Sequence, residues 1–256
     1  MINEEFKPFY RNGIIVQMDG DSGDSCQRVG TFLFLTWILG EKNVALASQM
    51  FWELQSSRGR FRRTNDLKHW GSRPSNLSAD QMSVIRLAMS AHEYKVFNDT
   101  YWQQLKRFGF HQNFLKGTDD PDEKWKIPDI MRPEELACFI RHNRIWVLWP
   151  LVFVIDILSL LFLLYRDPQS WDADNMHAQK SYYSVLFMPT PVAKLAFALY
   201  TKTNYLDRIE NYYSAKNNGI PPMFELYKEA DKKVRETLWQ NTFWLRWFFS
   251  WDVPTK

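Results

Sequence analysis

The feature that most constrains this chain is a run from Ile145 to Tyr165, IWVLWPLVFVIDILSLLFLLY, 21 residues with a single charge at Asp156. A segment of this length and character can cross a bilayer, which takes about 20 apolar residues. Arg141 and Arg144 precede it and Arg166 follows it, where long cationic side chains reach back to a membrane surface. Asp156 works against a simple span, because a carboxylate at mid-membrane costs ~2.5–3.5 kcal/mol on insertion scales. The other way to satisfy the run is a central helix, apolar all round because neighbours cover it all round. Amphipathic segments elsewhere in the chain can provide that cover, and they favour the buried helix. The alternative is a membrane-associated helical protein, anchored through 145–165 and the tail NTFWLRWFFSW, with Asp156 facing a partner helix or a polar cavity.

Composition narrows the remainder. A 256-residue chain that is 45% hydrophobic and 24% charged can build a sizeable core, which excludes wholesale disorder. Aromatics reach 16%, with 12 Trp, useful for stacking on sugars or for a membrane interface. A net charge of +3 is too balanced for a nucleic-acid partner. Cys26 and Cys138 match no zinc or redox spacing and make no disulfide framework, so they read as small buried apolar residues. Met1 to Tyr10 lacks the basic-then-apolar order of a secretory signal, so the cytoplasm is the default location, with the membrane as the alternative. Nothing in the sequence bears on oligomeric state.

Helical patterning dominates and strand alternation is nearly absent. Asp24 to Leu39 reads as a mostly apolar helix stopped by Gly40, with Val44–Leu54 as its partner. Gln55 to Asn76 reads as a basic loop broken by Gly59, Gly71 and Pro74. Further helices are expected from Ser78 to about Val96, from Thr100 to Phe108, and from Pro133 into the apolar run. Others follow from Asn175 to Phe187, Pro191 to Lys202, Tyr205 to Ala215, and Pro221 to about Leu238. The Pro- and Asp-rich stretch 117–133 offers a soft division within a single all-α domain spanning 1–256. About ten helices in antiparallel succession form hairpins of a helical array.

Four polar clusters interrupt the helices. The first, DGDSGDS followed by Arg28, sets Asp21 and Asp24 at a helix start, where carboxylates cap free N–H groups or act as general acid and base. It does not follow the EF-hand pattern, so calcium is only weakly signalled and no cofactor is expected. The second gathers Arg58, Arg60, Arg62, Arg63, Lys68, His69, Trp70 and Arg73, suited to an anionic ligand with Trp70 as a stacking surface. In the third, Ser78 and Gln81 have capping-box spacing, which leaves Asp80 without a structural assignment. The fourth, Asp172, Asp174, Asn175 and His177, can bind hydroxyl groups or a metal. No GxSxG, HExxH, Walker or dinucleotide-binding motif occurs.

The elements DGDSGDSCQRVG, the Arg/His/Trp loop with LSADQM, and WDADNM place polar residues at successive helix starts. Over roughly Asp19 to Phe187 this arrangement resembles the (α/α) toroid carbohydrate-active enzymes, both glycoside hydrolases and polysaccharide lyases. A full toroid needs about twelve helices of ~12–15 residues plus loops, more than this chain supplies, so an incomplete toroid or a multi-helix bundle is expected. The resemblance implies cleavage of glycosidic bonds in an acidic or neutral polysaccharide or oligosaccharide, by hydrolysis or elimination. Asp21 or Asp24 with Asp80 would serve as acid and base, and His69 as the base of an elimination. Arg28, Arg60, Arg63 and Arg73 would hold acidic groups, Trp70 would stack, and Gln81, Asp172, Asp174, Asn175 and His177 would bind hydroxyls. A non-catalytic assembly or virion protein using its aromatics as interface anchors is a further alternative.

Overall fold

The computed structural model describes residues 4–17, 23–40, 49–50, 52–57, 60–69, 72, 81, 84, 88, 136–137, 140–141, 145–165, 185–186, 190–201, 206–207, 210–211, 214 and 220–240. These residues are mostly helical, as expected, and two small antiparallel hairpins correct the near absence of strands. The expected helix at 100–108, the stretch 117–133 and the aromatic tail lie outside the described residues.

The first hairpin pairs β1 (Tyr10–Arg11) with β2 (Ile14–Ile15). Asn12 and Gly13 between them both have positive φ, the conformation a two-residue hairpin turn requires and an Asn-Gly pair supplies. A 3-10 helix, Glu4–Phe9, leads into it and buries Phe6 against the ring of Phe32. The second hairpin joins β3 (Gln55–Ser57) to β4 (Arg60–Phe61) across a bulge, within the stretch expected to be a loop.

Helix α1 (Ser25–Leu39) is the spine of the main core, with every residue buried except Trp37 and Leu39. Gly40 stops it in the left-handed conformation, as the sequence predicts, with its N–H turned back to the last carbonyls. Thr36 is tolerated in so apolar a setting because its hydroxyl donates to the Phe32 carbonyl at 2.9 Å. Gly30 sits where a Cβ would meet Val84 Cγ1 at 2.8 Å, so the absent side chain permits a close crossing. Gln81, Val84 and Ala88, all helical and buried, follow one face of the segment that uses this crossing.

Helix α4 (Pro221–Gln240) packs along α1. Met223, Tyr227, Ala230, Val234 and Leu238 form its buried stripe, while Glu225, Lys232, Lys233 and Glu236 face water. Helix α3 (Pro191–Thr201) adds Phe197 and Ala198 to the same core and begins at Thr190, whose Oγ1 accepts the Ala193 N–H at 3.0 Å.

The apolar run forms a 3-10 turn, Trp146–Leu148, and then helix α2 (Trp149–Tyr165). A second, smaller core lies under it, made of Ala137, Ile140, Val152 and Ile155, with Leu136 and Ile145 against its edge. Helix α2 also packs along α3. The expectation that neighbours wrap this helix on every side is overturned: Val152, Ile155 and Asp156 are buried, whereas Leu151, Phe153, Val154, Leu158 and Leu161 are exposed.

Candidate functional site

Among the described residues two places depart from ordinary burial rules, and each is a candidate site. The first lies where α1 begins. Asp24 occupies the position before the helix, and its main-chain carbonyl accepts the N–H groups of Gln27 and Arg28. Its side chain makes no cap, contrary to the common use of Asp at a helix start. Instead Oδ2 accepts from Gln17 Nε2 at 3.1 Å, and Oδ1 accepts from Gln81 Nε2 at 2.7 Å. Gln81 Nε2 also reaches the Gly23 carbonyl at 3.3 Å. The Cys26 N–H donates to the Arg63 carbonyl at 2.8 Å, which ties the chain leaving β4 to the same turn.

Three stretches far apart in sequence thus meet at this helix start: Gln17 with Asp24, the chain at Arg63, and Gln81. Gln17, Arg28, Arg63 and Gln81 are all buried there, and Asp24 is half-buried. The Cys26 thiol is inside as well; burial pushes its pKa up, the Asp24 carboxylate adds to the effect, and Arg63 opposes it. No residue pattern announces Gln17, an isolated amide just after the first hairpin. His69 sits half-buried in a separate turn, where its N–H donates to the Asp66 carbonyl and its carbonyl accepts from the Ser72 N–H. Arg60 is in β4, and nothing is described of its side chain. Asp21, Trp70, Arg73, Asp80, Asp172, Asp174, Asn175 and His177 lie outside the described residues. Among the described residues no three His, Cys, Asp or Glu side chains gather as metal ligands do.

The second place is the outer side of α2. Of the large apolar side chains exposed among the described residues, all but Leu67 fall between Trp146 and Leu161. Val147, Leu151, Val154, Leu158 and Leu161 follow one another at four and three residues, so they form one continuous stripe running from the 3-10 turn along the helix. Val147 is 82% exposed and Leu158 57%, far from the burial such residues normally find. At the head of the stripe the indoles of Trp146 and Trp149 stack, with ring centres 4.7 Å apart.

The inner side of α2 is the reverse. Asp156 is buried, and Oδ1 accepts a hydrogen bond from Arg141 Nη2 in an ion pair. Its Oδ2 accepts from the Thr190 hydroxyl at 2.7 Å. The one charge of the apolar run is therefore neutralised inside the protein, and the large exposed side chains described between Trp146 and Leu161 are hydrocarbon and indole. Scanned against known protein families, curated proteins and solved structures, the chain returns no match.

Proposed function

We propose that the chain is a membrane-associated helical protein that attaches to a bilayer through the exposed side of residues 146–161. The observation that carries this reading is the uninterrupted apolar stripe on α2, with its only carboxylate turned inward. An exposed surface of this kind is unusual for a monomer in water, where the largest apolar patch is ~300–600 Å² and commonly marks an interaction site. Lipid is the partner whose chemistry fits: the stripe carries no charge, its only hydrogen-bonding groups are the indole N–H groups at its head, and paired Trp rings favour the polar–apolar boundary. Arg144 and Arg166 bracket the run in sequence, suited to anionic headgroups.

The attachment proposed is along the surface. Among the described residues no helix is long and apolar enough to cross a membrane. Helix α2 has 17 residues, about 26 Å at 1.5 Å per residue, against a hydrocarbon layer of ~30 Å. A helix lying in the interface buries its apolar side by about 5–10 Å and needs no greater length. Cosedimentation of the full chain with phosphatidylcholine vesicles, with and without phosphatidylglycerol, tests the reading. The protein should pellet with the vesicles, and Val154→Glu with Leu158→Glu should leave it in the supernatant. A wild-type chain that stays in the supernatant overturns the proposal.

A second reading, cleavage of glycosidic bonds within an incomplete (α/α) toroid or helical bundle, draws support from the meeting of Asp24, Gln81 and the chain at Arg63, just past β4. In it Asp24 is the acid or base and Arg28, Arg63 and Gln81 hold substrate. Incubation with acidic and neutral polysaccharides, following reducing ends and the absorbance of unsaturated products, tests it. Activity that Asp24→Asn abolishes is the expected result, and no product from any polysaccharide removes the reading.

A further inference from the structure

Helix α2 poses a problem of orientation. Its residues are apolar on every side: Val152 and Ile155 face inward, yet Val154, Leu158 and Leu161 face outward and are equally able to fill a core. Hydrophobic burial alone therefore does not select which side packs on the protein. In most surface helices a polar stripe makes that choice. Here the sequence of the helix has almost no amphipathic bias, and one ionisable residue takes the place of the stripe.

We infer that Asp156, Arg141 and Thr190 form a positioning clamp that fixes the rotation of α2 and thereby decides which side chains meet the bilayer. This rests on the membrane-associated reading above. The geometry is specific. At about 100° per residue, Asp156 lies close to the opposite side of the helix from Val154 and Leu158. The three groups come from three elements: Arg141 from the helical segment before the apolar run, Asp156 from the middle of α2, and Thr190 from the start of α3. Thr190 serves both neighbours, accepting the Ala193 N–H and donating its own hydrogen to Asp156. Both carboxylate oxygens are thus occupied by donors on the protein side. Rotation of α2 by half a turn would strip the carboxylate of both donors and carry it away from Arg141, breaking a buried ion pair. Such a pair can contribute little to net stability and still specify one arrangement among several apolar ones.

The test reads the rotation directly. Single cysteines are placed at 151, 152, 154, 155 and 158 of the full chain, and modification by a maleimide is followed at each site by peptide mass spectrometry. With the clamp intact, positions 151, 154 and 158 should react about tenfold faster than 152 and 155. The paired replacement Arg141→Leu with Asp156→Leu removes both charges together, which is commonly tolerated by the fold. In that background the contrast between the two sets should fall to about threefold or less. Thr190→Val should lower it partway, while Thr190→Ser, which keeps the hydroxyl, should retain it. Where the paired replacement does not fold by circular dichroism, the Thr190→Val and Thr190→Ser comparison decides alone. Full contrast in Arg141→Leu/Asp156→Leu, or equal contrast in Thr190→Val and Thr190→Ser, overturns the clamp. Vesicle cosedimentation of the same proteins separates the two proposals. A wild-type chain that labels with the expected contrast but does not pellet sinks the membrane reading and leaves the clamp standing.

Discussion

Helices α1 and α2 invert one another. The less hydrophobic of the two, α1, is almost wholly buried and takes Gln27, Arg28, Thr31 and Thr36 into the interior. The more hydrophobic, α2, shows Leu, Val, Phe and Trp side chains to the outside and keeps only a narrow side covered. Burial in this molecule is therefore not a ranking by hydropathy. Thr36 can enter α1 because the Phe32 carbonyl accepts its hydroxyl hydrogen. On α2 the apolar side chains leave the interior, and the proposal above is that lipid receives them.

That contrast can be broken most sharply by one substitution made twice. Leu33→Ala in α1 removes a fully buried side chain and should cost ~2–5 kcal/mol. Leu158→Ala in α2 removes an exposed one and should change stability by less than about 0.5 kcal/mol in water. Urea midpoints for the two variants check this, and similar losses would mean that the outer side of α2 is covered. The next effect concerns the crossing that brings Gln81 to Asp24. Gly30→Ala places a methyl group against Val84 and should destabilise by ~1–3 kcal/mol, read by thermal unfolding. An unchanged or raised melting temperature would show that the crossing has slack.

The smallest effect is a pH slope. The folded chain holds the Cys26 thiol neutral well above the ordinary thiol range. Its contribution is fully present below the pKa of the unfolded thiol, and it is lost as the pH climbs toward the higher folded value. Between about pH 8 and 10, Cys26→Ala should therefore lose less stability than the wild type. Native Cys26 should also resist iodoacetamide until the chain unfolds. Rapid alkylation of the native protein would place the thiol near the surface.

How much of this was legible in the sequence follows the range of each interaction. The end of α1 at Gly40 is written in residues adjacent in the chain, as is the start of α4 at Pro221, whereas the Asp24 side chain does not cap the start of α1. The need of Asp156 for a partner was legible too, because a lone carboxylate among Leu, Ile and Phe has no other resolution. Its donors were not, since Thr190 is 34 residues away and ordinary in context. The Asn12-Gly13 turn is a clear local signal, but its strands are two residues each and show no alternation. The β3–β4 hairpin hides in a run of Ser, Arg and Gly that reads as loop. At the candidate site, Asp24 was identifiable by its place before a helix. The direction of its carboxylate, toward Gln17 and Gln81, depends on the Gly30 crossing, which no local pattern encodes.

The stacked indoles of Trp146 and Trp149, inclined at 28°, have an optical consequence. Two chromophores this close and not parallel share their excited states, and the coupling gives oppositely signed bands in the far-ultraviolet circular dichroism. Trp149→Phe would erase that couplet and identify it against the other tryptophans. The head of α2 thereby carries an intrinsic dye pair, and any event that prises the rings apart would be visible without attaching a probe.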